Sequence, residues 1–232
     1  METVSRLVIG IPRALLYHRY GTLWRGFFEG LGVQTIVSGP TSRQLLEDGA
    51  ALAVDETCLS LKIFFGHVRE LLGRCDYILV PRVSNFGRHR NFCVRFEALY
   101  DMTRCVFRES GQKFLAYDVD VLNGHDEERA FLEMGQSLGF SKKAVKKAYQ
   151  AAQRADQAAW KAAVKRQKEK YRGDGLKILI AAHSYVVHDP YIGKTVTDLY
   201  SDKQFETKNA RVVLGVDRDR FIAIVKDCIK TI

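Results

Sequence analysis

The sequence contains no apolar run of the roughly 18 residues that a membrane-spanning helix needs, so it predicts no transmembrane segment. It also lacks the G-x-G-x-x-G and Walker A sequences that bind dinucleotides and nucleotide phosphates. No His-Glu-x-x-His motif, paired-carboxylate signature or Ser/His/Asp order is present. None of these familiar types of site is therefore predicted.

Cysteine is present, but it follows no framework of close pairs. The five cysteines among 232 residues are an odd number and are scattered along the chain. A small secreted protein would instead carry an even number of cysteines that form disulfides. The acidic start of the chain, Met1-Glu2-Thr3, does not have the features of a signal peptide. We therefore expect a cytoplasmic protein in which any special cysteine serves metal or redox chemistry.

The net charge of +9 is concentrated in one segment, Ser141–Arg172. This segment holds 11 lysines and arginines against two acids, a difference of +9, so the rest of the chain is neutral. It is rich in Ala, Lys and Gln and lacks Gly and Pro, which predicts one long exposed helix. Few aromatic residues and no nucleic-acid fold signature argue against nucleic acid. We expect a solvated helical connector, with an anionic partner protein or a phosphorylated ligand as alternatives.

Short apolar runs alternate with helical stretches, which is typical of an α/β fold with a mostly parallel sheet. The predicted strands are Leu7–Ile11, Gln34–Ser38, Tyr77–Val80, Phe114–Tyr117, Ile178–Ala182 and Val212–Val216. The predicted helices are Ala14–Leu31, Leu59–Leu72, Phe96–Glu109, Glu127–Leu138, the basic segment, Tyr191–Tyr200 and Arg218–Ile229.

This alternation predicts three regions along the chain. Residues 1–140 form an α/β domain, 141–175 the basic helical connector, and 176–232 a second α/β unit. The second unit has only two strands and two helices, which is too few for a doubly wound domain. It either packs onto the first domain or is an incomplete unit.

Cys58 stands at the start of a predicted helix that has an apolar stripe. The stripe follows the i, i+3, i+4, i+7 spacing of a core-facing helix, and its members are Leu61, Phe64, Phe65, Val68, Leu71 and Leu72. Asp55 or Thr57 is predicted to cap the helix, which places the Cys58 sulfur near the positive end of the helix dipole. Such a position favours the thiolate, the form that binds metal. The alternative is a small buried residue packed under the helix start.

Cys93 is the second cysteine of interest, because it also lies in a loop-to-helix transition after a strand. Two sulfurs from such distant positions can converge at one edge of the sheet. The spacing of Cys58 and Cys93 resembles no zinc finger, whose ligands come in close pairs, whereas iron–sulfur clusters accept widely separated cysteines. The remaining cysteines are predicted to be structural: Cys75, Cys105 and Cys228.

Other polar residues fall at the carboxyl ends of strands, where open α/β sheets gather their ligands. Arg13 follows the first strand and could hold an anion, and Arg82 follows the third strand. The candidates for binding substrate or an anion are Arg13, Glu56, Arg82, His183 and Tyr185.

The remaining histidines and Asp189 have structural explanations. A lone histidine is more often a hydrogen-bonded structural residue than a ligand, and we interpret His67 and His188 in this way. Asp189 followed by Pro190 suits the N-cap and first position of a helix, and this cap accounts for the aspartate.

The chain resembles a known family in five ordered segments, IGIPRALLYHRYGTLWRGFFEGLG, DETCLSLKIFFGHV, DYILVPRV, NFCVRFEALYDM and HSYVVHDPYIG. That family is the uncharacterised acyl-CoA dehydratase activase-related domain, a relative of the D (beta) subunit of 2-hydroxyacyl-CoA dehydratases and of double-cubane-cluster proteins. The resemblance covers residues 5–200. It implies a flavodoxin/Rossmann-like α/β fold and a 4Fe–4S-type cluster with Cys58 and Cys93 as ligands. It also implies an ATP-dependent activase that supplies low-potential electrons.

Two functions follow from the residues and the resemblance together. The first is an iron–sulfur protein that acts on an acyl-CoA, in which the cofactor carries the one-electron step. The second is a non-catalytic α/β module, or a subunit remnant, that binds a CoA-like ligand or an acidic partner without a cluster. Cluster-bearing relatives carry another cysteine beyond the fifth segment, and here only Cys228 could serve.

Overall fold

A four-stranded parallel sheet forms the centre of the protein in the computed structural model, which describes residues 7–171 and 182–193. The strands are β1 (Val8–Ile11), β2 (Gln34–Val37), β3 (Tyr77–Asn85) and β4 (Lys113–Asp120). They lie in the order β2-β1-β3-β4, and each neighbouring pair is parallel. Parallel neighbours need crossover connections, which the helices provide. The predicted α/β fold with a mostly parallel sheet is confirmed.

The helices lie between and after the strands. They are α1 (Tyr17–Gly30), α2 (Arg43–Ala50), α3 (Leu59–Leu71), α4 (Val94–Glu97), α5 (Leu99–Val106), α6 (Glu127–Ser137), α7 (Lys142–Tyr171) and α8 (Ser184–Val187). A single 3₁₀ turn, Val121–Asn123, follows β4. None of the helices within the described ranges has the combination of length and apolar character that a bilayer span requires.

Most of the sequence-based elements are found within a few residues of their predicted ends. Strand β3 continues five residues past its predicted end, from Val80 to Asn85. The predicted helix Phe96–Glu109 is two helices, α4 and α5, which meet at Ala98. Helices α2 and α8 were not predicted. The elements predicted for 178–181 and 194–232 lie outside the described residues, and 191–193 form a turn.

Helices α2 and α3 touch through their backbones at two glycines. A Cβ added at Gly49 would lie 1.9 Å from the carbonyl oxygen of Lys62, and one at Gly66 would lie 2.2 Å from that of Leu45. Only glycine allows this approach. The contact fixes α3, and with it the position of Cys58, against α2.

Helix α7 packs along α1 and α6 through its first half. Val145, Ala148, Tyr149 and Ala152 are buried there. The prediction of one long helix is confirmed, but the prediction that it is exposed throughout is wrong for these turns. Small apolar residues form a stripe between the lysines, and the stripe fits against α1. Lys161 and Lys165, farther along the helix, are exposed.

A half-buried acid, Glu127, anchors α7 to the sheet. The Glu127 carboxylate accepts hydrogen bonds from the hydroxyls of Tyr117 (3.3 Å) and Tyr149 (2.9 Å). Gln153 in turn donates to the Tyr149 hydroxyl at 2.9 Å. Burial raises the pKa of Glu127 above its ordinary value. We call Glu127, Tyr117, Tyr149 and Gln153 the Glu127 network.

Candidate functional site

The candidate site lies at the carboxyl ends of the central strands. β1 pairs with β2 on one side and with β3 on the other. The connections that leave β1 and β3 therefore diverge, and in open α/β sheets this divergence creates the ligand crevice. Cys93 and Arg13 both follow these strand ends.

Cys58 is the N-cap residue of α3, and its side chain is exposed. Its carbonyl accepts hydrogen bonds from the amides of Leu61 (3.0 Å) and Lys62 (3.2 Å). The prediction that Asp55 or Thr57 caps this helix is wrong, because the helix begins after Cys58 itself. The alternative of a small buried residue under the helix start is also wrong. Cys58 offers a thiol to solvent at the positive end of a 13-residue helix.

Cys93 repeats this arrangement on the short helix α4. It is the N-cap residue, its side chain is exposed, and its carbonyl accepts from the amide of Phe96 at 2.9 Å. The loop before it is held by the amide of Phe92, which donates to the Ser84 carbonyl at 2.9 Å. Both cysteines therefore stand at helix starts.

Several contacts bring the two cysteine loops together. Arg95, in the first turn of α4, donates from its guanidinium to the Glu56 carbonyl at 3.2 Å. The Tyr185 ring lies 6.1 Å from the Phe96 ring, between centroids. Tyr185 also lines a small cavity with Ser60, two residues after Cys58.

Tyr185 is close to both cysteines. Burial, and then the negative charge of the Cys93 and Cys58 thiolates, raises the pKa of Tyr185 to about 12. The exposed His183 ring stacks on Tyr185 with centroids 5.0 Å apart. The structure thus brings together Cys58, Cys93, His183 and Tyr185, with Glu56 contributing its carbonyl to the same place.

The two candidate arginines have different surroundings. The Arg82 guanidinium lies 4.0 Å from Asp101 and 4.0 Å from Asp118, and these ion pairs account for it without the cysteines. The half-buried Arg13 has no ion-pair partner among the residues that the structure describes. Its positive charge contributes to the lowered pKa of His18, after the larger effect of burial.

A buried hydrogen-bond cluster beside the site was not predicted as a unit. The His67 Nδ1 lies 2.9 Å from the Ser38 hydroxyl, and its Nε2 lies 3.0 Å from the Thr41 hydroxyl. Thr41 also donates to the Asp189 carboxylate. The interpretation of His67 as a hydrogen-bonded residue is supported. The cap explanation of Asp189 covers only one of its oxygens, which accepts from the amides of Tyr191 and Ile192.

Two further features of this region carried no signal in the sequence. His18 stacks on His188 with ring centroids 6.5 Å apart, and burial lowers the pKa of His18 to about 4. Leu15, two residues after Arg13, has a φ of +50°, which is strained for a leucine. Strained backbone of this kind clusters at functional sites.

The other described cysteines divide between the core and the surface. Cys75 is half-buried and its thiol lies 3.6 Å from the Leu71 carbonyl, consistent with a structural role. Cys105, which was predicted to be structural, is exposed and faces a hollow of about 500 Å³. Helix α5 instead buries Leu99 and Thr103. Cys228 lies outside the described residues.

The donor set at the site is partial. Within residues 7–171 and 182–193, no three His, Cys, Asp or Glu side chains are grouped so that they could hold a metal ion. Cys58 and Cys93 provide two sulfurs, the donor type that iron–sulfur clusters use. Any further ligand must come from outside these residues.

Comparison with known proteins identifies the family. Residues 8–212 match the model of the CoA enzyme activase uncharacterised domain. No curated protein matched the chain, and no solved structure matched it either. The match includes both cysteine loops and the segment that carries Tyr185. The chain therefore belongs to the CoA enzyme activase uncharacterised domain family.

Proposed function

We propose that the chain is an iron–sulfur protein of the 2-hydroxyacyl-CoA dehydratase D-subunit or double-cubane type, with Cys58 and Cys93 as cluster ligands. The observation that carries this proposal is that two exposed cysteines, each the N-cap residue of a helix, lie in loops joined by the Arg95–Glu56 hydrogen bond, with Tyr185 packed against Phe96 and lining a cavity with Ser60. A cysteine that serves only in packing is normally buried. Both of these cysteines are instead exposed at one edge of the sheet.

The chemistry of the two thiols supports the proposal. Both thiols are exposed at N-cap positions, so both are accessible to an incoming cluster. Clusters take their thiolates from positions that are distant in sequence. Cys228 would supply a third ligand in addition to Cys58 and Cys93.

The residues around the thiols have distinct roles under this proposal. The Tyr185 hydroxyl is a hydrogen-bond donor next to the sulfurs, and the aromatic rings of Phe92 and Phe96 exclude water from one side. Arg13 would attract the anionic part of an acyl-CoA. When bound, the cluster would supply one low-potential electron to the substrate thioester.

An ATP-dependent activase is the proposed source of that electron. The exposed Lys161 and Lys165 in the second half of α7 provide a cationic surface for an acidic partner. The folded first half of α7 fixes this surface relative to the sheet.

The test is reconstitution with iron and sulfide without oxygen. Wild-type protein is expected to turn brown, to absorb broadly in the visible range and to retain iron after gel filtration. Cys58→Ser and Cys93→Ser should each lose most of the iron. Cys105→Ser is the matched control, because it removes another exposed thiol. This variant should retain the iron.

A colourless wild-type protein, or equal iron in all three variants, would contradict the cluster. The free guanidinium of Arg13 then favours the second function, a module that binds a CoA-like ligand without a cluster. In that case calorimetry should detect CoA binding to the wild type and weaker binding to Arg13→Ala.

A further inference from the structure

Four buried polar side chains connect the sheet to the segment 182–193. Ser38, Thr41, His67 and Asp189 are at most 7% exposed. They are four of the six polar or charged residues that are buried in the described part of the chain. We call them the His67 network.

The donor and the acceptor of each hydrogen bond in this network can be assigned. Thr41 uses its single hydroxyl proton on the Asp189 carboxylate, so its oxygen must accept from His67 Nε2–H. The other ring nitrogen, Nδ1, then has a free lone pair and accepts from the Ser38 hydroxyl. Ser38 accepts in turn from the Arg13 amide at 2.8 Å. Every member of the network is satisfied, and each depends on the next.

Asp189 links this network to the backbone of its own segment through hydrogen bonds. One carboxylate oxygen accepts from Thr41, and the other accepts from the amides of Tyr191 (2.8 Å) and Ile192 (3.0 Å). The Asp189 carbonyl accepts from the amide of Gly193 at 2.9 Å. The carboxylate therefore ties a turn of the segment to a residue 148 positions earlier in the chain.

Tyr185 lies in the same segment, four residues before Asp189. Its ring lies 6.1 Å from the ring of Phe96 in α4, between centroids, and it lines a small cavity with Ser60 and Ile63 of α3. We propose that Thr41 and Asp189 form a latch that positions Tyr185 beside Cys58 and Cys93, and that opening the latch removes the Tyr185 ring from one side of the two exposed thiols. This proposal depends on the proposed function only for the identity of the group that the two cysteines bind. Under it, Thr41 and Asp189 are positioning residues.

Hydrogen–deuterium exchange of the full-length protein tests the latch. Thr41→Val removes the hydroxyl, and Asp189→Asn keeps the oxygen that caps Tyr191 but loses the acceptor for Thr41. Amides 183–193 should exchange about tenfold faster in both variants, because the buried bond that held them is lost. Thr41→Ser should restore the wild-type rate.

Thr103→Val is the matched control. Thr103 is fully buried, and its hydroxyl donates to the Leu99 carbonyl at 2.6 Å within α5. It should leave the exchange of 183–193 unchanged. Alkylation by iodoacetamide gives the second readout: Cys58 and Cys93 should react severalfold faster in the latch variants, while Cys105 does not change.

Wild-type exchange of 183–193 in both latch variants would overturn the proposal. Faster exchange without faster alkylation would overturn the positioning of Tyr185 on the cysteines. Neither readout uses iron, so a failed reconstitution would reject the cluster and leave the latch to be judged by these results alone.

Discussion

The protein contains two buried polar networks that respond to acid in opposite directions. In the Glu127 network, burial raises the pKa of a carboxyl group, so protonation of Glu127 favours the folded state. In the His67 network, burial lowers the pKa of the imidazole to about 4, so protonation opposes folding. The first network joins residues 10 and 22 positions apart, and the second spans 148. As the pH falls, the segment 183–193 should therefore lose stability before α7 does.

Replacing His67 should have the largest effect. His67→Phe keeps an aromatic ring in the cavity but leaves the Ser38 and Thr41 hydroxyls without their shared partner. The Ser38 hydroxyl then has no acceptor for its proton, and Thr41 keeps only its bond to Asp189. Loss of these two buried hydrogen bonds should lower the free energy of unfolding by about 4 kcal/mol. Urea denaturation measures this loss, and a change below about 0.5 kcal/mol would show that the network is not needed for folding.

Acidification should have the next largest effect, and its sign distinguishes the two networks. The unfolded chain takes up a proton on His67 near pH 6.5, whereas the folded chain does so only near pH 4. The ionisable groups around this ring are Asp189, His18 and Arg13. Between these pH values the His67 network should lose up to about 3 kcal/mol of stability, which is about 1.4 kcal/mol for each unit of pKa.

Exchange rates, corrected for the intrinsic effect of pH, measure this change by region. Amides 183–193 should lose protection as pH falls through that window. Amides at the contact of α6 with α7 should not, because protonation of Glu127 acts in the opposite direction. Equal loss of protection in both regions would contradict the comparison.

Tyr149→Phe should have a smaller effect, confined to the Glu127 network. It removes one hydrogen bond to the carboxylate and should cost about 1 kcal/mol in chemical denaturation. Tyr100→Phe is a suitable control, because its hydroxyl makes only a 3.4 Å bond to the Phe114 carbonyl. Faster exchange in 183–193 for Tyr149→Phe would show that the two networks are coupled.

Charge reversal at the far part of α7 should have the smallest effect on stability. Lys161→Glu with Lys165→Glu should change the free energy of unfolding by less than about 0.5 kcal/mol, because both side chains are exposed. The same double variant should bind an acidic activase more weakly, and added salt should weaken the wild-type interaction. Binding that neither change affects would remove α7 as the docking surface.

The strands and long helices could be predicted because their apolar spacing is local. β3 shows the limit of this reasoning. The predicted strand stops at Val80, before Pro81, since proline lacks the amide that a sheet needs. Among the described residues β1 pairs with β3 only at Tyr77 and Ile78, so no described strand pairs with that side of β3 at Pro81, where proline is tolerated.

The candidate site was predictable only in part, because sequence patterns report local structure and not contacts between distant residues. The positions of Cys58 and Cys93 at helix starts follow from apolar stripes and nearby strand ends. The His67 network does not, because no local pattern links Thr41 to a carboxylate 148 residues later. The exposure of Cys105 was not predicted, because only the structure shows that α5 buries Leu99 and Thr103 instead.

The backbone contact at Gly49 and Gly66 gives the Cys58 sulfur less freedom to move than the Cys93 sulfur. Helix α3 cannot slide along α2 without a collision of main-chain atoms, so Cys58 is held at a fixed position. Cys93 begins a helix of only four residues that follows a loop, and it has no such restraint. Any adjustment of the distance between the sulfurs, as the site gains or loses an occupant, must therefore come from movement of Cys93.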